Sequence, residues 1–223
     1  MPYVTNHNPD KPICAWVIPY MTKEEVPALG TWLAFPTTEI PRRLCEPAVF
    51  VGRGNKNVVK RYACSIDHLH RRLPATVNLE ELNYLASLLA GLSTEKQHVF
   101  LARIEGLKDG DMAGFINTAN DLAGYKLVND FVSYGMERLR AEGVTSAVIS
   151  AFTSQQLAEY GRAQAAGHDP QATSFGYLFK TNEAPGSVMG RYRGPQDIPD
   201  EHRLKPVDDK KKQAKKDYTK KER

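Results

Sequence analysis

NLEELNYLASLLAGLSTEKQHVFLARIEGLKDGDMAGFINTANDLAGYKLVNDFVSYG, residues Asn78–Gly135, is the stretch whose reading decides the fold. Asn78 stands at an N-cap position, and Glu81, three residues on, can complete a capping box. Leu79, Leu82, Leu85 and Leu89 then recur at spacings of three and four, which puts them on one helical face. Gly91 closes that helix and Ser93 opens a second, with Val99, Phe100 and Ile104 inward and Gly106 as its stop. Asp111 starts a third, whose inward residues are Phe115, Ile116, Ala119 and Leu122, with Gly124 at its end. Tyr125–Val128 is too short for a helix and reads as a connecting strand. Asp130 begins a fourth helical run through Leu139, ended near Gly143. The pattern predicts a central helical subdomain over residues 77–143 and says nothing of chemistry.

Working outward, residues 1–12 hold few apolar groups and read as a flexible N-terminus. Ile13–Met21, Thr31–Phe35, Ala48–Val51 and Val58–Ile66 are β-branched and aromatic runs expected as strands. GRGNKN, residues 52–57, is a hairpin-like connection, and Pro36–Thr38 is expected to cap a helix through Leu44. Residues 13–76 therefore read as an N-terminal α+β subdomain. On the other side, Thr145–Ala151 is a candidate strand or helix start. Thr153 with Gln156 resembles a capping box for a helix through Ala166. Phe175, Tyr177 and Phe179 alternate as a strand that Ser187–Tyr192 could pair with. Residues 144–204 make a C-terminal α+β subdomain, and 205–223 a basic, disordered tail. The fold class expected is α+β, in three small subdomains.

The 223 residues are 41% apolar and 25% charged, ordinary for a globular protein. No run of about 18 apolar residues predicts a spanning helix, and the first dozen residues lack a secretory pattern. Cys14, Cys45 and Cys64 are an odd, sparse set with no CxxC, as expected of reduced thiols in a cytoplasmic protein. The net charge of +4 conceals an uneven distribution. Residues 1–74 carry ten Lys/Arg and six Asp/Glu, residues 75–204 eleven and sixteen, and residues 205–223 nine and four.

Catalytic signatures are sparse. His68 and His70 form a weak metal pair that no further ligand at metal spacing completes. Cys64 with His68 lacks an oxyanion-hole motif. Gly52-Arg-Gly54 follows a strand but lacks the third glycine of a dinucleotide loop and the Lys-Ser/Thr of a P-loop. The reading is of a protein that is not an enzyme and needs no cofactor or metal.

Two electrostatic features remain. The N-terminal subdomain gathers Arg42, Arg43, Arg53, Lys56, Lys60, Arg61, Arg71 and Arg72, with Trp16, Trp32 and Tyr62 nearby. Such a set can bind phosphates and stack bases, or simply be the solvated side of a sheet. The Lys-rich tail can attract nucleic acid or only confer solubility. The central helices carry Glu80, Glu81, Glu95, Glu105, Asp109, Asp111, Asp121, Asp130, Glu137 and Glu142 on caps and outer faces, and capping and solvation explain most of them.

Gly30-Thr-Trp32-Leu-Ala-Phe-Pro36-Thr37-Thr38 resembles the Gly-x-Trp-Leu-x-x-Pro-Thr segment of ArdA-type antirestriction proteins, in the branch carried by mobile elements of Gram-positive bacteria. Asn78-Leu-Glu-Glu-Leu-Asn83-Tyr84-Leu-Ala86 is similar to that branch's most recognisable block. Phe115-Ile116-Asn117, Asp121-Leu122, Tyr134-Gly135, Glu159-Tyr160-Gly161, Gly176-Tyr177, Tyr192-x-Gly194 and Ile198-Pro199-Asp200-Glu201-His202-Arg203 continue in the family's order. The similarity spans roughly residues 13–204 and omits the tail. The resemblance implies an elongated, curved homodimer of three-part subunits that mimics DNA. Such a protein inhibits type I restriction–modification enzymes without catalysis, and so protects plasmid or phage DNA. Its contact carboxylates would be Glu80, Glu81, Asp109, Asp111, Asp121 and Asp130. One feature departs from the family's strong negative charge: twenty-one Lys/Arg and twenty-two Asp/Glu precede residue 205. The alternative is a nucleic-acid-binding accessory protein of a mobile element, using Arg42, Arg43, Arg53, Lys56, Lys60, Arg61 and the tail.

Overall fold

Strands and helices alternate along the chain in a mixed α+β arrangement with several antiparallel pairings. The computed structural model describes residues 10–18, 30–44, 57–181 and 191–207. The expected strand at Ala48–Val51, the hairpin at 52–57 except Asn57, Cys45 and the tail beyond Val207 lie outside these residues. The chain divides into two compact units, each assembled from separate segments. Among the described residues, no helix is long and apolar enough to cross a membrane.

The first unit comprises residues 1–91, 108–116 and 192–223. Its main sheet has the order β2-β1-β4-β5, built from β1 (Ile13–Ile18), β2 (Thr31–Phe35), β4 (Asn57–Cys64) and β5 (Thr76–Val77), all antiparallel. Side chains alternate across a strand. Ile13, Ala15, Val17, Leu33, Phe35, Val59 and Val77 therefore share one face, and all are buried. Helix α1 (Leu69–Arg72) follows β4, and α2 (Leu79–Ala90) packs against β2. The leucine stripe does what its spacing predicts: Leu79, Leu82, Leu85 and Leu89 are buried. A short β3 (Glu39–Pro41) pairs in parallel with β9 (Lys205–Val207), which brings two segments far apart in sequence together in one unit.

One irregularity shapes the other face of the sheet. Trp16 lies opposite Arg61, but Val17 lies opposite Val59, so Lys60 is the extra residue of a β-bulge. Consecutive residues Lys60 and Arg61 are both exposed as a result.

The second unit comprises residues 92–107 and 117–191. It contains α3 (Thr94–Ile104) and α5 (Phe131–Ala141), the short α6 (Ser146–Ile149), and α7 (Ser154–Ala165). Its antiparallel sheet has the order β6-β8-β7, from β6 (Tyr125–Val128), β7 (Gln171–Thr173) and β8 (Gly176–Lys180). Helix α4 (Met112–Asn120) has residues in both units. The backbones of α5 and α7 approach each other closely. A Cβ on Gly135 would lie 2.2 Å from the Leu157 carbonyl oxygen, and one on Gly161 would lie 2.1 Å from that of Phe131. Neither contact is compatible with a side chain, so both glycines are required by packing. The crossing is flanked by two apolar clusters, Val128–Tyr134–Ala165–Phe179 and Leu139–Ile149–Leu157.

Two expectations are corrected. The helix expected after Thr38 is instead β3 followed by a single 3-10 turn, Arg42–Leu44. Pro41 disfavours helical geometry at Ile40, and β9 supplies a strand partner. The strand expected at Ser187–Tyr192 falls mostly on residues 182–190, outside the described residues; among the described residues β8 pairs with β6 and β7. Asn78 does cap α2, accepting from the Glu80 amide at 2.8 Å, but Glu81 does not complete a capping box. Its carboxylate instead accepts the Tyr192 hydroxyl at 2.9 Å.

Candidate partner-binding surfaces

Each of the six carboxylates singled out in the sequence has a partner inside its own unit. Three are compensated by arginines: Glu80 by Arg203 at 3.2 Å, Asp109 by Arg72 at 2.5 Å, and Asp121 by Arg103 at 3.4 Å. Three are held by neutral donors: Glu81 by Tyr192, Asp111 by the Gly114 amide at 2.9 Å, and Asp130 by the Ser133 amide at 2.7 Å and the Ser133 hydroxyl at 3.2 Å. An ionised carboxylate has about four acceptor positions, so one or two neutral donors leave its charge and at least half of its lone pairs to an outside partner. Asp111 and Asp130 stand at helix N-termini, whose partial positive charge is roughly half a unit. Glu81, Asp111 and Asp130 thus keep more negative character than the arginine-paired three. Asp109, although paired, is the most open of those three, its side chain 73% exposed. Four of the six belong to the first unit; Asp121 and Asp130 belong to the second.

The basic candidates are only partly visible. Arg42 is exposed on the 3-10 turn, and Lys60 and Arg61 are exposed on β4. The side chain of Arg43, together with Arg53 and Lys56, lies outside the described residues. Asn57, buried at the start of β4, donates to the Leu44 carbonyl at 3.3 Å, which fastens the 3-10 turn beside that strand. Tyr62, grouped with the tryptophans in the sequence, occupies the buried face and donates its hydroxyl to the Pro74 carbonyl at 2.8 Å. Burial, with the Cys64 thiol nearby, raises its pKa.

Sequence reasoning did not foresee the role of Asn83, which sits inside the leucine stripe at 2% exposure. Its Oδ1 accepts from the Thr37 amide at 2.8 Å, and its Nδ2 donates to the His202 carbonyl at 2.7 Å. Tyr84, the next residue, packs against the rings of His202 and Tyr192. Desolvation, then the charge of Glu81 and the hydrogen bond to it, raises the Tyr192 pKa, so the phenol stays protonated and donating. One knot thereby ties β2's exit, α2 and the 192–203 segment. An amide in an otherwise apolar helical face was the available signal, because a buried amide must find partners.

The weak catalytic candidates gain no support. His68 and His70 are exposed, His68 in a left-handed conformation just ahead of α1. Burial, with the Cys14 thiol nearby, pushes the Cys64 thiol up to about 12, the opposite of an activated nucleophile. Among the described residues no group of three metal-ligating side chains converges. Compared with protein-family models, with curated proteins and with solved structures, the chain matches none.

Proposed function

We propose that this chain is a non-enzymatic anti-defence protein. In this reading it resembles ArdA-type proteins, occupies the DNA groove of a type I restriction–modification complex and acts as a cytoplasmic homodimer. The three-subdomain layout belongs to the same proposal. The observation that carries it is where the resembling sequence blocks fall. Thr37, Asn83, Tyr192 and His202, from four different blocks, meet in one knot of the first unit. Gly135 and Gly161, from two more, make the α5–α7 contact of the second. Accidental short similarities have no reason to concentrate on residues that join segments up to 119 positions apart.

The carboxylates held by neutral donors, Glu81, Asp111 and Asp130, are the phosphate-imitating groups this reading favours. Capping bonds fix Asp111 and Asp130 in place, which lowers the ordering cost of binding. Plating of unmodified phage on cells that carry a type I system tests the proposal. Expression of the chain is expected to raise the plating efficiency. Unchanged plating across several type I systems would sink the reading. A second reading, a nucleic-acid-binding accessory protein, draws on a different observation, the exposure of Arg42, Lys60 and Arg61 in the first unit.

A further inference from the structure

Residues 143–158, Gly-Val-Thr-Ser-Ala-Val-Ile-Ser-Ala-Phe-Thr-Ser-Gln-Gln-Leu-Ala, are sixteen consecutive positions without a charge, in a chain that is 25% charged. They lie wholly in the second unit and run from just after α5, through α6, into α7. Residues 82–94 are uncharged too, but there burial accounts for it, since Leu82, Leu85, Ala86 and Leu89 are core. In 143–158 all but Val144, Ile149, Leu157 and Ala158 are exposed. A solvated surface is ordinarily about 25–35% charged. Among the described residues, Val148 at 51% and Phe152 at 40% are the large apolar side chains left exposed, and both are in this stretch.

The stretch is held in a defined arrangement. Ile149 packs inward with Leu139 and Leu157. The Ala151 amide donates to the Val148 carbonyl and the Phe152 amide to that of Ile149, both at 3.1 Å, so Val148 and Phe152 stand one turn apart on a fixed backbone. Several polar groups around them are answered locally. Ser150 donates its hydroxyl to the Ala147 carbonyl at 2.8 Å, and Thr153 and Gln156 close their capping box. The carboxylates that bound the stretch are engaged as well: Glu142 accepts the Tyr160 hydroxyl at 2.7 Å, and Glu159 accepts from the Gln155 amide at 2.9 Å. Groups already paired in this way lower the desolvation cost of covering the surface.

A twofold contact between identical copies sets each residue near the axis against its own counterpart, so any charge there meets its like. Neutrality is therefore what a self-contact demands of an exposed stretch. A different protein can answer a charge with the opposite one and imposes no such neutrality. A membrane surface favours a basic face and a broad apolar stripe, and this stretch has neither. We propose that residues 143–156 form a twofold contact with a second copy of this chain, centred on Val148 and Phe152. The exposed stretch is smaller than the about 20–30 residues a side of a standard interface, so the association is weak. The proposal rests on the homodimer of the proposed function but not on its restriction target, so plating and self-association can fail separately.

Sedimentation equilibrium of the full chain is expected to show a monomer–dimer equilibrium with a Kd on the order of 10–100 µM, the weak range suited to a contact of this size. V148E/F152E sets like charges against each other across the axis and should weaken the dimer about a hundredfold or more. V148K/F152K should do the same. Mixing the two charge variants should then restore a heterodimer, because only a patch that meets itself brings glutamate and lysine together. Circular dichroism verifies folding of each variant. Three results would overturn the proposal: a parent chain still monomeric at concentrations about tenfold above that range, a dimer unaffected by V148E/F152E, or no restoration on mixing, which would place a different surface opposite the patch. A monomeric parent that sediments with phosphatidylcholine vesicles, and loses this in V148E/F152E, would assign the face to a membrane and overturn it as well.

Discussion

The two units are closed by opposite devices. The first is tied by side-chain polarity: one buried amide, Asn83, bridges Thr37 and His202 while Tyr192 reaches Glu81. The second is closed by the absence of side chains, where Gly135 and Gly161 let the backbones of α5 and α7 touch. A polar tie tolerates small displacements because a hydrogen bond stretches gradually. A backbone contact does not, because repulsion rises steeply within a few tenths of an ångström. The contrast implies that the second unit is the more brittle to a single added methyl, and the first the more sensitive to lost hydrogen bonding.

The sharpest way to break this comparison is Gly161→Ala. Alanine is favoured over glycine in a helix by about 1 kcal/mol, yet here the added Cβ must push α5 and α7 apart. Destabilisation of about 3 kcal/mol is expected, the upper end for overpacking. Both tryptophans lie in the first unit, so their fluorescence follows that unit, whereas circular dichroism follows both. Chemical denaturation should show an early dichroism phase in this variant. An unshifted midpoint would mean that the helices separate freely and that the glycine contact does not hold the unit.

Asn83→Ala makes the complementary cut. It leaves the Thr37 amide and the His202 carbonyl without their partner, at a cost of about 2 kcal/mol. The fluorescence transition should move to lower denaturant. A midpoint unchanged from the parent would show that water replaces the amide and that the knot is not a tie.

Alkaline pH acts on the first unit in particular. The Cys64 thiol has its folded-state pKa raised from 9.0 to about 12 by burial. Its contribution is complete below pH 9 and is lost as pH climbs from 9 toward 12, at no more than about 1.4 kcal/mol per pH unit. Tyr62, also raised, adds to the loss from pH 10 upward. Stability followed by tryptophan fluorescence should be flat at neutral pH and decline above 9, and Cys64→Ala should delay the onset. A decline that begins below pH 8, or one the variant leaves unchanged, would contradict this assignment.

The smallest effect expected is at Thr153, whose hydroxyl accepts from the Gln156 amide while the Gln156 side chain returns to the Thr153 amide. Thr153→Ala should cost about 1 kcal/mol, read in the dichroism transition and not in fluorescence. A shift of the fluorescence transition instead would place the effect outside α7.

The same contrast governs what was legible in the chain. Caps at Asn78, Ser93, Asp111, Asp130 and Thr153 were readable because donor and acceptor lie within three residues of each other. The leucine stripe of α2 was readable because helical period fixes its face. Asn83's partner in His202 lies 119 residues away, and β3 finds β9 across most of the chain, so no local pattern announces either. The acidic candidates were legible as positions but not as partners: Arg203 and Tyr192 lie more than 110 residues from Glu80 and Glu81 and reach them only in the folded chain. The pairing of Trp32 with Trp16 and of Trp16 with Arg61 depends on register, and a one-residue slip would scatter these residues between faces.

The most direct test of the proposed anti-restriction function is competition for DNA on a purified type I methyltransferase. The chain should displace a bound duplex at near-stoichiometric concentration, and Glu81→Gln combined with Asp111→Asn and Asp130→Asn should weaken that displacement while circular dichroism verifies folding. Duplex binding that is unaffected by a large excess of the folded chain would contradict the proposal.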